Sequence, residues 1–176
     1  MTKQGASIAS LIDKAIVSIS VTVALAALVS MFVSLIAEVI VRYMTNQGLG
    51  WPTELPNLLF PWLVMSGVVL AAQRGQHIAV TAILGFLGNT ATRWLLVLLQ
   101  VLVATTFFYL AYVGQGLLEI VGSEEYPVTG ISAYWAYLAM VVGFTAVGIT
   151  AISTLWQLLL AKDPHSVRKH HSEEDV

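Results

Sequence analysis

Polar and charged residues divide the 176-residue chain into four long apolar runs. Uncharged stretches cover Ala15 to Ala37, Leu55 to Gln73, Trp94 to Leu118 and Tyr126 to Ala161, of 23, 19, 25 and 36 residues. A helix needs roughly 20 apolar residues to cross a hydrocarbon core of about 30 Å. Lipid cannot bond the backbone, so a helix that satisfies its own N–H and C=O groups is the expected form. The pattern predicts an all-α membrane protein, a single membrane domain over 1–176, with four transmembrane helices. The expected spans are approximately 15–41, 53–73, 92–118 and 131–161, followed by a polar tail at 162–176. The last run is too long for one upright helix and too short for two. It predicts a turn at Pro127 to Gly130 and then a long or tilted helix. Ile78 to Leu87 is apolar but short, and Thr81 and Gly85 interrupt it. It is expected to lie in the interface between spans 2 and 3, without forming a fifth span.

Composition agrees with the pattern. Hydrophobic residues make up 57% of the chain and charged residues 10%, where soluble domains carry about 25% charged. A net charge of −2 points to no nucleic-acid partner, and the absence of cysteine excludes disulfides and thiolate metal sites. Lys3, Lys14, Arg74, Arg93, Lys162, Arg168 and Lys169 fall on one side of the expected spans, and Arg42 alone falls on the other. Basic residues collect on the cytoplasmic side, so both termini are expected inside the cell. The first apolar run exceeds the core of a signal peptide and ends on Glu38 and Arg42 without a cleavage site. It reads as a retained span.

Ser18, Thr22, Ala26, Ser30 and Ser34 form a seam of small residues on the first helix. Such seams let helices approach in lipid, and packing within the chain is the expected use. Glu38 and Arg42 stand one turn apart in the favourable order for an intrahelical pair. Thr45 to Gly50 reads as a turn, after which Trp51 suits the membrane interface, Pro52 suits a first helical turn, and Glu54 suits the positive end of the dipole. Arg42 and Glu54 flank this loop, and a pair between them would tie the first hairpin at its mouth. Pro61 lies well inside span 2 and predicts a kink, and Gly67 with Ala71 forms a small-residue contact site. Span 2 leaves through Arg74, Gly75 and His77. His77 lacks the companions a metal site needs, so hydrogen bonding is its expected role. Arg93-Trp94 anchors span 3, whose far end carries Gln115 and Glu119. Tyr134, Trp135 and Tyr137 form an aromatic belt on span 4, with Ala139, Gly143 and Gly148 as close-packing positions. Clustered carboxylates at mid-membrane, paired broken helices and an internal repeat are all missing, which argues against a self-contained transporter.

The middle segment resembles the small membrane subunit of tripartite ATP-independent periplasmic (TRAP) transporters, the DctQ family. The resemblance rests on Arg42-Tyr43, Trp51, Glu54-Leu55, Leu58 to Phe60, Trp62-Leu63, Gly67, Arg74-Gly75, His77-Ile78 and Val80. Thr53, Asn57, Gln76 and Thr81 stand where the family often carries charge. The resemblance implies a small permease subunit of the bacterial or archaeal cytoplasmic membrane. A large, elevator-type membrane subunit and a periplasmic substrate-binding protein would be its partners in sodium-coupled import of an organic acid. No catalytic, metal or substrate-binding residue and no cofactor is expected in this chain. Glu38, Arg42, Trp51 and Glu54 are candidate contacts to either partner at the outer face. Arg74 and His77 are candidates for lipid headgroups or the large subunit at the inner face. The alternatives are an independent small multidrug-type exporter, which would use an acid deep in the first span, and a non-transport membrane adaptor. A haem-bearing anchor would need histidines inside the spans.

Overall fold

The computed structural model describes residues 2–74 and 89–160, with side chains described over 11–73 and 91–159. The described residues form four helices: α1 (Thr2–Thr45), α2 (Trp51–Arg74), α3 (Asn89–Val121) and α4 (Tyr134–Leu160). All four are long and apolar enough to cross a membrane. The expected interfacial segment at 78–87 lies outside the described residues. α1 begins ahead of the expected span because nothing in 2–14 breaks a helix; no proline occurs there. The α1–α2 and α3–α4 connections share one end of the molecule, here the loop end. The starts of α1 and α3 and the finishes of α2 and α4 form the terminal end.

α4 is the common wall. It packs against α1, α2 and α3, and α1 also packs along α2, whereas α3 leans on α4. Over its most apolar stretch α4 is 44% buried and α3 only 6%, which makes α4 the centre and α3 an edge. Small residues permit this. Ala136, Ala139, Val147 and Ala151 are buried on α4. A Cβ on Gly143 would run into Met65 of α2, and one on Gly148 would come within 2.9 Å of the Phe108 ring of α3. The Phe107 and Phe144 rings meet at 5.8 Å. Trp62 Nε1 donates to the Trp135 carbonyl at 3.0 Å. The expected close-packing role of Ala139, Gly143 and Gly148 is what the fold uses.

Two other expectations are corrected. On α1 the buried stripe is Ser20, Ala27, Met31, Ser34 and Glu38, a repeat of three and four residues. Ser18, Thr22, Ala26 and Ser30 point outward, so only Ser34 of the small-residue seam packs within the chain. A strict four-residue row drifts around the helix and leaves the face that the 3.6-residue period buries. Along the middle of α2 the buried contacts are Met65, Ser66 and Val69. Gly67 is exposed, nothing lies within 4 Å of an added Cβ, and Ala71 is exposed as well. α2 runs as one helix through Pro56 and Pro61.

This difference between the two glycines yields a stability prediction. Gly143→Val forces α4 off Met65 and should cost about 1–3 kcal/mol, the usual range for overpacking. Gly67→Val should be near neutral. Thermal unfolding of both variants in detergent checks this, and equal losses would contradict the packing described.

Candidate functional site at the loop end

Glu38 is the last member of the buried stripe of α1 and only 3% exposed. Arg42, one turn on, donates from Nη2 to Glu38 Oε1 at 2.9 Å, while most of its own side chain stays exposed. The Leu49 N–H donates to Glu38 Oε2 at 2.9 Å. Asn46, at a φ of 54°, turns the chain out of α1. The loop then folds back so closely that a Cβ on Gly48 would collide with Glu38 Oε1. The carboxylate therefore pins the first connection from beneath.

Glu54 does the same for the second connection. It sits in the first turn of α2 and is 9% exposed. Its Oε1 accepts the Val128 N–H at 2.8 Å. Its Oε2 accepts the Thr129 N–H at 2.9 Å and the Thr129 hydroxyl at 2.8 Å. Hydrogen bonds to an ionised acceptor are among the stronger ones in proteins. A pair between Arg42 and Glu54, which their places beside the loop allowed, is therefore not formed. Arg42 is taken by the acid on its own helix, and Glu54 turns toward three donors of the α3–α4 loop.

That loop is a tight turn, as its Pro-Val-Thr-Gly composition predicts. Tyr126 N–H donates to the Ile131 carbonyl at 3.0 Å, and Gly130 N–H donates to the Tyr126 carbonyl at 2.9 Å. Gly130 has a φ of 65°, a conformation glycine adopts at no steric cost. Gly50, at a φ of 79°, lies against Val128, where an added Cβ would come within 3.3 Å of the valine side chain. The two connections thus touch, and each is held by one glutamate. Trp51 is 41% exposed beside them.

The terminal end holds a second polar group that sequence reasoning missed. Asp13 Oδ1 accepts from Gln73 Nε2 at 3.3 Å and Asp13 Oδ2 from Gln157 Nε2 at 2.8 Å. Gln73 Nε2 also reaches the buried Thr150 Oγ1 at 2.8 Å. One acid therefore joins α1, α2 and α4. The available signal was positional: Asp13, Gln73 and Gln157 all stand at the same ends of their apolar runs. Arg93 donates from Nη2 to the Leu159 carbonyl at 2.6 Å and caps α4. The Arg74 side chain and His77 lie outside the described residues, and Gln115 and Glu119 are exposed. Between these two ends, α1, α2 and α4 enclose an open crevice of about 190 Å³ lined by residues such as Ile16, Val23, Met65, Val69, Val142 and Ala146. Its walls are almost wholly apolar.

The loop-end glutamates and three of the four helices fall within a match to a known family profile. Residues 31–161 match the DctQ component of tripartite ATP-independent periplasmic transporters. The chain belongs to the DctQ family. It is 33% identical over 132 residues to an uncharacterized protein, y4mM, of Sinorhizobium fredii, a match covering 74% of this chain and 24% of that protein. It is 27% identical over 143 residues to a putative TRAP transporter small permease protein of Haemophilus influenzae, covering 80% of this chain and 84% of that one. A sialic acid TRAP transporter permease protein, SiaT, of Haemophilus influenzae is 24% identical over 117 residues, covering 65% of this chain and 18% of its own length. This DctQ chain thus spans about a quarter of the first relative and most of the second.

Two outcomes test the loop-end geometry of this DctQ chain. Glu54→Ala should speed amide exchange at Val128 and Thr129 on the order of tenfold, while Arg42→Ala leaves those amides protected. Unchanged exchange in Glu54→Ala would contradict the staple. The Tyr126 phenol is pushed above its usual range by partial burial, by Tyr137 and by the Glu54 carboxylate. A raised folded pKa means that its contribution is intact below about pH 10 and is lost as pH rises through the raised value. Tyr126→Phe should therefore blunt the alkaline loss of stability, measured by unfolding at pH 8 and above pH 10. An identical alkaline loss in both proteins would contradict that assignment.

Proposed function

We propose that this DctQ chain is the scaffold subunit of a sodium-coupled importer of an organic acid. In this reading the substrate is delivered by a periplasmic binding protein and carried by a large, elevator-type membrane subunit. The chain has no enzymatic role. It lies in the cytoplasmic membrane with both termini inside, so the loop end faces the periplasm. The observation that carries the reading is how the hydrogen-bonded carboxylates among the described residues are used. Glu38 and Glu54 hold the chain's own loops, Asp13 holds two glutamines, and the crevice between the helices is apolar. An organic acid or a sodium ion needs polar ligands at mid-membrane, and that crevice offers almost none. A stiff wall with an apolar lining suits the fixed part of an assembly in which another part moves.

Under this reading, the loop end with Glu38, Arg42, Trp51 and Glu54 meets the periplasmic protein or the large subunit. Arg74 and His77 meet lipid headgroups or the large subunit at the opposite surface. The multidrug-type alternative needs an acid free to exchange protons and ligands, and the bonds from Arg42 and Leu49 to Glu38 speak against it.

Proteoliposomes test the proposal. Uptake should require the large subunit, this chain, the binding protein and an inward sodium gradient together. Ala variants of Glu38, Arg42, Glu54, Arg74 and His77 should lower uptake severalfold at one face or the other. Uptake by this chain alone would reject the scaffold role, and full uptake by all five variants would reject the contact assignments.

A further inference from the structure

We infer that the exposed face of α3 centred on Tyr109 and Tyr112 docks a transmembrane helix of the large permease subunit. This rests on the scaffold reading and specifies which face makes the contact. Trp94, Leu98, Val101, Thr105, Tyr109 and Tyr112 recur at steps of three and four residues, so they share one side of the helix. All six are exposed, Tyr109 at 65% and Tyr112 at 74%. The opposite side of α3, with Ala111 and Leu118, is buried.

Lipid covers an apolar face at no cost, but it offers a hydroxyl nothing to bond. The apolar stretch of α3 runs from Ala91 to Val121, which puts Thr106 at its middle. With a rise of 1.5 Å per residue, Tyr109 lies about 4.5 Å and Tyr112 about 9 Å beyond that point. Helical side chains lean toward the N-terminus of their helix. On α3 this carries both phenols back toward the centre of the bilayer and away from the nearer surface. They are therefore badly placed for the interfacial belt that tyrosines usually join. Thr105 turns its hydroxyl onto the Val101 carbonyl at 2.8 Å, whereas neither phenol has a hydrogen-bond partner among the described residues. The mid-span hydroxyls on the exposed α1 face belong to serine and threonine, which can reach a carbonyl of their own helix, as Thr22 does to Ser18 at 2.8 Å, whereas a phenol is too long to do so. A helix with backbone or side-chain acceptors at matching depth would satisfy both phenols and cover the apolar residues around them.

The identity of that helix follows from the relatives. In the SiaT permease protein the similar stretch is 18% of one longer chain. There a permease of several times this size is covalently joined to the homologue, so a large membrane partner is held beside it by construction. A second copy of this chain is the competing occupant, and the test separates the two.

The chain has no native cysteine, so Val101→Cys on the α3 face and Phe32→Cys on α1 each carry a single nitroxide label. Val101 is 45% exposed and Phe32 is 66% exposed. In bilayers holding this chain alone, dissolved oxygen should reach both labels. When the cognate large subunit is co-reconstituted, oxygen access at 101 should fall at least threefold and access at 32 should stay unchanged. Tyr109→Phe with Tyr112→Phe should weaken the copurified complex on the order of fivefold, as expected from losing two interhelical hydrogen bonds in lipid. A complex that copurifies while 101 stays accessible, or that shields 32 instead, overturns this inference and leaves the scaffold reading standing. Shielding of 101 without the large subunit overturns it in favour of self-association. Failure to copurify at all rejects the scaffold reading and this inference with it.

Discussion

Close approach of α4 to its neighbours is the constraint on which the other contacts depend. In lipid the hydrophobic effect does not drive helices together, so packing and interhelical hydrogen bonds must. Gly143 admits Met65 and Gly148 admits the Phe108 ring. Once α2 and α3 are that near, the Trp62 indole reaches the Trp135 carbonyl and Gln73 reaches Thr150. The loop-end bond network has the same dependence. Glu54 on α2 meets Val128 and Thr129 only because α4 brings that loop alongside.

Among the described residues, the carboxylates of Glu38, Glu54 and Asp13 sit at the two ends and are bonded there to the chain's own backbone and side chains. Glu38 and Glu54 fix two adjoining turns, and Asp13 ties three helices at the opposite end. Such pinning makes the loop end a stiff surface rather than a pair of free loops. A stiff surface loses less entropy when a partner binds than a mobile one does. These three carboxylates are committed to holding the fold.

Much of this was legible in the residues. Four uncharged runs predict four helices, because bilayer thickness sets their length. Glu38 and Arg42 pair as their spacing requires, and Pro127 to Gly130 turns as composition predicts. What could not be read was rotation and long-range choice. The seam at Ser18, Thr22, Ala26 and Ser30 proved to face outward because the buried stripe follows a mixed three- and four-residue step. Gly67 was indistinguishable from Gly143 in a uniformly apolar sequence, since lipid-facing and core-facing positions have similar composition. Glu54 had a nearby cation in Arg42 and a distant nest of donors at 128–129, 74 and 75 residues away. Only the helix arrangement decides between them. Asp13 was passed over for the same reason, since its amide partners are brought to it by tertiary structure.

The arrangement itself, with α4 as the shared wall and α3 at the edge, is tested most directly by disulfide formation between introduced cysteine pairs. No native thiol interferes. Phe107→Cys with Phe144→Cys, across the α3–α4 contact, should cross-link readily under mild oxidation. Ala27→Cys with Val103→Cys, at matching depth on α1 and α3, should not. Efficient cross-linking of the α1–α3 pair would mean a closed bundle in which those helices are neighbours, and it would contradict the fold described.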